Sequence, residues 1–307
     1  MILDDITQAV GGTPLLRLGR YAAGAPAEIL AKLEMFNPYS TKDRPVLEMI
    51  AAAERDGALQ AGGTIIEATS GNTGIAIAMV CAVRGYKCVL VMSAVQSVER
   101  RKMLQALGAK VVLTPASGGT KAAREEALRL VEETGAYYIA QHDNPANPVA
   151  HEKTTAEELW DATDGGIDVL VGGLGTGGTL TGVARTIRPR KAEFRTVGVE
   201  PENAPFISCG EFQPHRMMGT SPGFVPGVLD RDQLDEIVLV SEQDAFDACR
   251  EIARSEGLLV GISSGATALA ARRLADRPEL AGKTIVCVFA DSGERYLSID
   301  DLFAPMS

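Results

Sequence analysis

Thr64-Ile65-Ile66-Glu67-Ala68-Thr69-Ser70-Gly71-Asn72-Thr73-Gly74 reads as a strand, a turn and the start of a helix. β-Branched residues in 64–68 favour extended chain, and the hydroxyl, carboxamide and glycine residues of 69–74 favour a turn. An apolar helix follows, from about Thr73 to Val83. The same order repeats outward. Before it, Lys42 to Gly57 forms an amphipathic helix. After it come a strand Gly85 to Met92, a helix Ser97 to Leu107, a strand Lys110 to Leu113, a helix Thr120 to Glu133 and a strand Tyr137 to Gln141. Alternation of this kind predicts a parallel sheet covered on both faces.

A punctuated joint, Asn144-Pro145-Ala146-Asn147-Pro148, opens a second alternating series. A helix over 149–162 leads to the strand Asp168 to Val171, a glycine-rich loop, a helix ending near Ile187 and the strand Thr196 to Glu200. Residues 201–232 lack periodicity, as in a lid, a binding loop or a subunit contact. The strand Glu236 to Val240, a helix over 242–256, the turn Gly261-Ile262-Ser263-Ser264-Gly265, a further helix and the strand Thr284 to Phe289 complete the series. The expected architecture is two α/β lobes with a cleft between them. The smaller, mobile lobe spans 39–145, and the larger spans 1–38 and 146–307.

A net charge of −10 disfavours nucleic acid and anionic membrane as partners. The cysteines Cys81, Cys88, Cys209, Cys249 and Cys287 are scattered and form no CxxC pair, and there are three histidines. No structural metal site or disulfide framework is expected, and a reducing cytoplasm is. No signal segment or membrane-spanning apolar run is visible.

Three loops bear on chemistry. Gly172-Gly173-Leu174-Gly175-Thr176-Gly177-Gly178-Thr179 lies between a strand and a helix start, where glycine lets backbone N–H groups converge on an anion. Gly173, Gly175 and Gly178 also satisfy the dinucleotide fingerprint, and Glu200 ends a strand 22 positions later, where a ribose-binding acid would sit. A nicotinamide site, a structural glycine turn and a single phosphate monoester are all open at this loop. The 69–74 loop favours the monoester, because it lacks pyrophosphate spacing and instead suits a small carboxylate. The third loop, Gly261 to Gly265, offers a serine hydroxyl to a pyridine nitrogen, with helix capping as the plainer role. In Tyr39-Ser40-Thr41-Lys42-Asp43-Arg44, Ser40 or Thr41 is expected to cap the helix. Lys42 would then stand at a helix N-terminus, where an amine is favoured in the neutral, imine-forming state.

Asn37-Pro38-x-Ser40-x-Lys42-Asp43-Arg44, the 69–74 loop, Gly175 to Thr179, Gly261 to Gly265 and Ser292-Gly293-Glu294-Arg295-Tyr296-Leu297-Ser298 occur in this order. Over nearly the whole chain they closely resemble cysteine synthase (O-acetylserine sulfhydrylase) and its sister cystathionine β-synthase. These belong to the fold type II pyridoxal 5'-phosphate enzymes. The resemblance implies two doubly wound three-layer α/β/α lobes of tryptophan-synthase-β-like type, with the cofactor in the cleft. It also implies Lys42 as the Schiff-base lysine, Gly175, Thr176, Gly177, Gly178 and Thr179 around the cofactor phosphate, Asn72 on the ring hydroxyl and Ser263 at the ring nitrogen. Thr69, Ser70, Gly71, Thr73 and Gln141 match the substrate-carboxylate positions.

The implied activity is β-replacement through an aminoacrylate, making L-cysteine from O-acetyl-L-serine and sulfide. Alternatives are cystathionine synthesis from serine or O-acetylserine with homocysteine, an O-phosphoserine donor, and a sulfide-releasing cysteine lyase. Implied partners are a second copy of the chain and the C-terminal tail of a serine acetyltransferase. The sequence departs from the family pattern at Ala68, at 93–97, at Ser221-Pro222-Gly223-Phe224 and at Asp291. Asp291 is a second candidate for the ring nitrogen, and Arg216 is a candidate cation for a phosphorylated donor.

Overall fold

The computed structural model describes residues 2–69, 71–94 and 98–303. Two short strands come first, β1 (Leu15–Arg17) and β2 (Glu28–Lys32). Next are α1 (Asp43–Arg55), β3 (Thr64–Ala68), α2 (Asn72–Arg84), β4 (Lys87–Ser93), α3 (Val98–Ala106), β5 (Lys110–Thr114), α4 (Gly119–Thr134) and β6 (Tyr137–Tyr138). After them run α5 (Ala146–Lys153), α6 (Thr155–Ala162), β7 (Ile167–Gly173), α7 (Gly178–Ile187), β8 (Arg195–Pro201) and the single turn α8 (Phe206–Cys209). The last are β9 (Glu236–Val240), α9 (Glu242–Ser255), α10 (Ile262–Ala275) and β10 (Thr284–Val288). Among the described residues, no helix is long and apolar enough to cross a membrane.

The chain divides into two compact units, Met1–Val10 with Lys42–Asn147, and Gly11–Thr41 with Pro148–Ser307. Residues 1–10, expected in the larger lobe, belong to the smaller unit because the 3-10 turn Ile6–Ala9 packs against α2.

In the smaller unit the strand order is β5-β4-β3-β6, all parallel. Ile66, Ala68, Val89, Val91 and Val112 pack with Ala123 and Ala127 of α4 on one face. The opposite face takes α2, whose Gly74 comes close to Leu90 and Leu104. Both faces are thus covered, as a parallel sheet requires.

In the larger unit the order is β1-β2-β10-β7-β8-β9, parallel except for the β1–β2 pair. Successive β7 residues divide between two cores. Val169 and Val171 join Phe246 and Ala266, whereas Leu170 joins Leu180, Val183 and Leu159. That alternation is the period-two side-chain rule applied to a sheet with helices on both sides.

Two sequence expectations need correction. The strand expected over Tyr137–Gln141 ends at Tyr138, because Ala140 takes a left-handed conformation with φ 52° and turns the chain. The helix expected over 149–162 is two helices, broken where Thr154 leaves helical geometry at φ −127° and ψ −73°.

A buried ammonium fastens the larger unit's edge. Lys32 is 1% exposed, and its Nζ donates to Thr13 O at 2.5 Å and to Glu158 Oε2 at 2.6 Å. Glu158 Oε1 also accepts from Gly12 N at 2.9 Å. Glu158→Ala, by removing the carboxylate that pairs with that buried ammonium, is expected to cost about 3 kcal/mol of stability. Chemical denaturation checks this, and a cost below about 1 kcal/mol would mean that the ammonium has found other partners.

Candidate functional site

In the smaller unit, Lys42 is the half-buried N-cap residue of α1, and its carbonyl accepts from Val46 N at 3.1 Å. Neither Ser40 nor Thr41 caps the helix, contrary to the sequence expectation. Both are buried, and the cap has no side-chain hydrogen bond. In the larger unit, the segment leading to Lys42 is held by Thr41 N donating to Ala290 O at 2.9 Å and by Arg295 Nη2 donating to Tyr39 O at 2.5 Å.

The 69–74 loop joins β3 to α2. Thr69 N donates to Val91 O at 3.0 Å, and Thr69 Oγ1 accepts from Gly71 N at 3.3 Å. Gly71 is the N-cap of α2, so Asn72 and Thr73 lie in its first turn, where backbone N–H groups lack intrahelical acceptors. The buried Thr73 Oγ1 donates to Gln141 Oε1 at 2.6 Å, joining two residues expected at a carboxylate. Gln141 O in turn accepts from Asn147 Nδ2 at 2.8 Å. Ser70 lies outside the described residues.

Two titratable groups beside Gln141 are held in their uncharged forms. Burial raises Glu67 to about 8, against the backbone amides of Gln141, Ala140 and Ala68 and the Tyr138 hydroxyl, which lower it. Glu67 is 2% exposed, and its Oε2 has no hydrogen-bond partner among the described residues. Burial lowers His142 to about 4; Asp143 raises it, and Arg124 and Lys42 lower it further. An uncharged imidazole thus stands in the field of Lys42.

In the larger unit, the loop after β7 has the backbone geometry of an anion cradle. A Cβ at Gly175 would lie 2.3 Å from Gly219 O, and one at Gly177, whose φ is 81°, would lie 2.5 Å from Leu229. Side chains are therefore excluded, and the loop presents backbone. Gly177 caps α7, placing the first-turn amides of Gly178, Thr179 and Leu180 at the loop's end. Thr176 Oγ1 accepts from Gly178 N at 3.3 Å. The close approaches and the hydroxyls fit a phosphate monoester.

Ser263 lies in the first turn of α10, with its Cβ 3.9 Å from where a Cβ on Gly173 would stand, so it neighbours the loop. Neither serine of that turn caps the helix. Gly261 is the N-cap without a side-chain bond, and Ser264 Oγ accepts from Ala290 N at 3.0 Å. Asp291 Oδ2 accepts from the Tyr296 hydroxyl at 2.5 Å, and its carbonyl accepts from Gly261 N at 3.0 Å.

Several residues differ from their sequence reading. Glu200 is fully buried and accepts from Ile207 N at 2.7 Å, Ser208 N at 3.0 Å and Ser208 Oγ at 2.8 Å. It fastens α8 and is not presented to a ribose, so the dinucleotide reading lacks its acid. Arg216 pairs with Glu242 at 2.9 Å and lies 4.7 Å over the Phe246 ring, so it already has a structural role.

His151, given no role from sequence, has Nδ1 2.9 Å from Thr155 Oγ1 and Nε2 3.2 Å from Thr179 Oγ1. Ser221 stands at φ 39°, a left-handed conformation natural to glycine. It is held by its N–H on Leu174 O at 2.7 Å and its Oγ on Ala204 O at 2.5 Å.

Residues 6–291 match the family described as "Pyridoxal-phosphate dependent enzyme". A cysteine synthase of Staphylococcus aureus is 46% identical over 299 residues, 96% of either chain. The crystal structure of an O-ureido-L-serine synthase superposes with a TM-score of 0.95 at 44% identity, covering 100% of this chain and 97% of that one. Cysteine synthase (OASS) from Entamoeba histolytica superposes at 0.96 with 38% identity, covering 100% and 92%.

The uncharged pair has a measurable consequence. The ordinary values are 4.5 for Glu67 and 6.5 for His142. Because folding raises Glu67, its stabilising contribution is full below pH 4.5 and is lost as pH rises through 8. Because folding depresses His142, its contribution is present above pH 6.5 and is lost as pH falls through 4. The two oppose each other below 6.5, and Glu67 alone acts above it. Stability of the smaller unit should fall by about 2 kcal/mol from pH 6.5 to 8, and Glu67→Gln should flatten that interval. Urea midpoints at both pH values measure it. An unmoved wild-type midpoint would mean that Glu67 is already ionised at pH 6.5.

Proposed function

The chain belongs to the pyridoxal-phosphate-dependent enzyme family, and from that premise we propose that it makes L-cysteine from O-acetyl-L-serine and sulfide by β-replacement. The observation that carries the reading is the Thr73–Gln141 pair at the head of α2. An anion site of neutral donors beside an uncharged His142 and Glu67 suits the carboxylate of a small amino acid. The 46% identity to a cysteine synthase supports the same substrate class.

In this reading Gly175, Thr176, Gly177, Gly178 and Thr179 hold the cofactor phosphate, Asn72 bonds the ring hydroxyl and Ser263 stands at the ring nitrogen. When bound, pyridoxal phosphate supplies a conjugated ring that takes up the charge left on Cα when its proton is removed. The chain's own residues do the rest. Amides and hydroxyls of the 69–74 loop, with Gln141, bind and orient the substrate carboxylate. The Lys42 amine, in its neutral form, would take the α-proton. Acetate then leaves Cβ, hydrosulfide adds there, and Lys42 returns its proton to Cα. The reading also includes work in the cytoplasm, a homodimer and docking of an acetyltransferase tail.

Product analysis tests the assignment. O-Acetyl-L-serine with sulfide should give cysteine and acetate, and Lys42→Ala should lower turnover by about 10³-fold while the cofactor is lost on dialysis. Conversion only with homocysteine would replace the reading by cystathionine synthesis, and O-ureido-L-serine formed from a hydroxyurea acceptor would move the chain toward that relative's activity.

A further inference from the structure

The proposed chemistry gives no part to His151, although its imidazole is 2% exposed and touches the end of the glycine loop. Its place follows from the packing of two helices in the larger unit. A Cβ at Gly182 of α7 would lie 2.3 Å from Pro148 O and 3.0 Å from the His151 Cβ. Because Gly182 has no side chain, α5 lies directly on α7, and the imidazole reaches the first turn of α7. There its Nε2 is 3.2 Å from Thr179 Oγ1. Its Nδ1 is 2.9 Å from Oγ1 of Thr155, the first residue of α6.

The direction of these two bonds follows from burial. Thr155 is fully buried, and among the described residues its hydroxyl bonds His151 Nδ1 alone. Were that hydroxyl to accept, its own proton would be buried without an acceptor, a cost that donation to Nδ1 avoids. Nδ1 is therefore the acceptor, and this bonding assigns the proton of the neutral ring to Nε2. Nε2 then donates to Thr179 Oγ1, and the Thr179 hydroxyl keeps its own proton to give. A helical threonine has a second rotamer in which that proton returns to a carbonyl of the preceding turn. The bond to His151 holds Thr179 in the rotamer seen here.

We propose that His151 is a positioning residue for the cofactor phosphate. Donating from Nε2, it turns the Thr179 hydroxyl proton toward the anion of the glycine loop, and Thr155 fixes the tautomer that makes this possible. The inference rests on the reading of that loop as the phosphate site.

Absorbance titration of the cofactor-free full chain with pyridoxal phosphate, and with pyridoxal, which lacks the phosphate, tests this. The wild type should prefer the phosphate ester by about 100-fold or more. His151→Asn, too short to bond Thr179, should reduce that preference about tenfold, as for one hydrogen bond to a charged group. His151→Gln, whose amide reaches the place of Nε2, should keep the preference within about threefold of wild type. Pyridoxal itself should bind both variants as it binds the wild type. Once Thr179→Val has removed the hydroxyl, adding His151→Asn should cause no further loss. Should His151→Asn fail to fold, His151→Leu fills the same space without a hydrogen bond and carries the same expectation.

Three results would overturn the inference. The asparagine variant could keep the wild-type preference, it could lose affinity for both aldehydes equally as for a merely structural imidazole, or the glutamine variant could lose as much preference as it does. A wild type that binds the two aldehydes alike would instead overturn the reading of the glycine loop beneath it.

Discussion

Parallel strands impose one constraint on which every candidate residue depends. In an open parallel sheet, the loops that follow the carboxyl ends of neighbouring strands lie along one edge, and ligands bind there. In the smaller unit that edge collects the 69–74 loop after β3 and Gln141 just beyond β6. The hydrogen bond from Thr73 to Gln141 is a direct product of this arrangement, since β3 and β6 are sheet neighbours. In the larger unit the same edge collects the glycine loop after β7 and Asp291 after β10, which are also neighbours. Residues far apart in the chain meet because strand order and direction leave them no other place.

Charge at these edges is local. A chain of net charge −10 binds anions where backbone amides converge and carboxylates are absent or uncharged. Gly175 and Gly177 let the amides converge by leaving no room for side chains. Around Gln141 the device differs, because burial keeps the nearby acid protonated and the nearby imidazole neutral. In the proposed reading, one unit offers a phosphate the N-terminus of a helix, and the other offers a carboxylate a set of neutral donors.

Much of this was legible in the sequence because it is encoded locally. The β3 strand, the helices on either side of the glycine loop and the loops themselves are marked by β-branched runs, apolar periodicity and glycine punctuation. What stayed hidden depends on contacts distant in sequence. Ala140 gives no sign that it takes a left-handed turn, so the strand before it was drawn too long. Ser40 and Thr41 are good capping residues by type, yet both are buried and neither side chain bonds the helix start. Glu200 matched a motif by spacing, and only the fold reveals that α8 occupies it. Glu67 passed as an ordinary strand residue because burial without a partner cannot be read from neighbours in sequence.

The central claim is that the chain holds pyridoxal phosphate and acts with it on an amino-acid substrate. The most direct measurement is the visible absorbance spectrum of the cofactor-saturated protein, recorded before and after adding O-acetyl-L-serine without any thiol. The expected result is a visible band that the substrate replaces with a different one, and that returns when sulfide is added. A protein that shows no visible band when saturated with cofactor would contradict the claim.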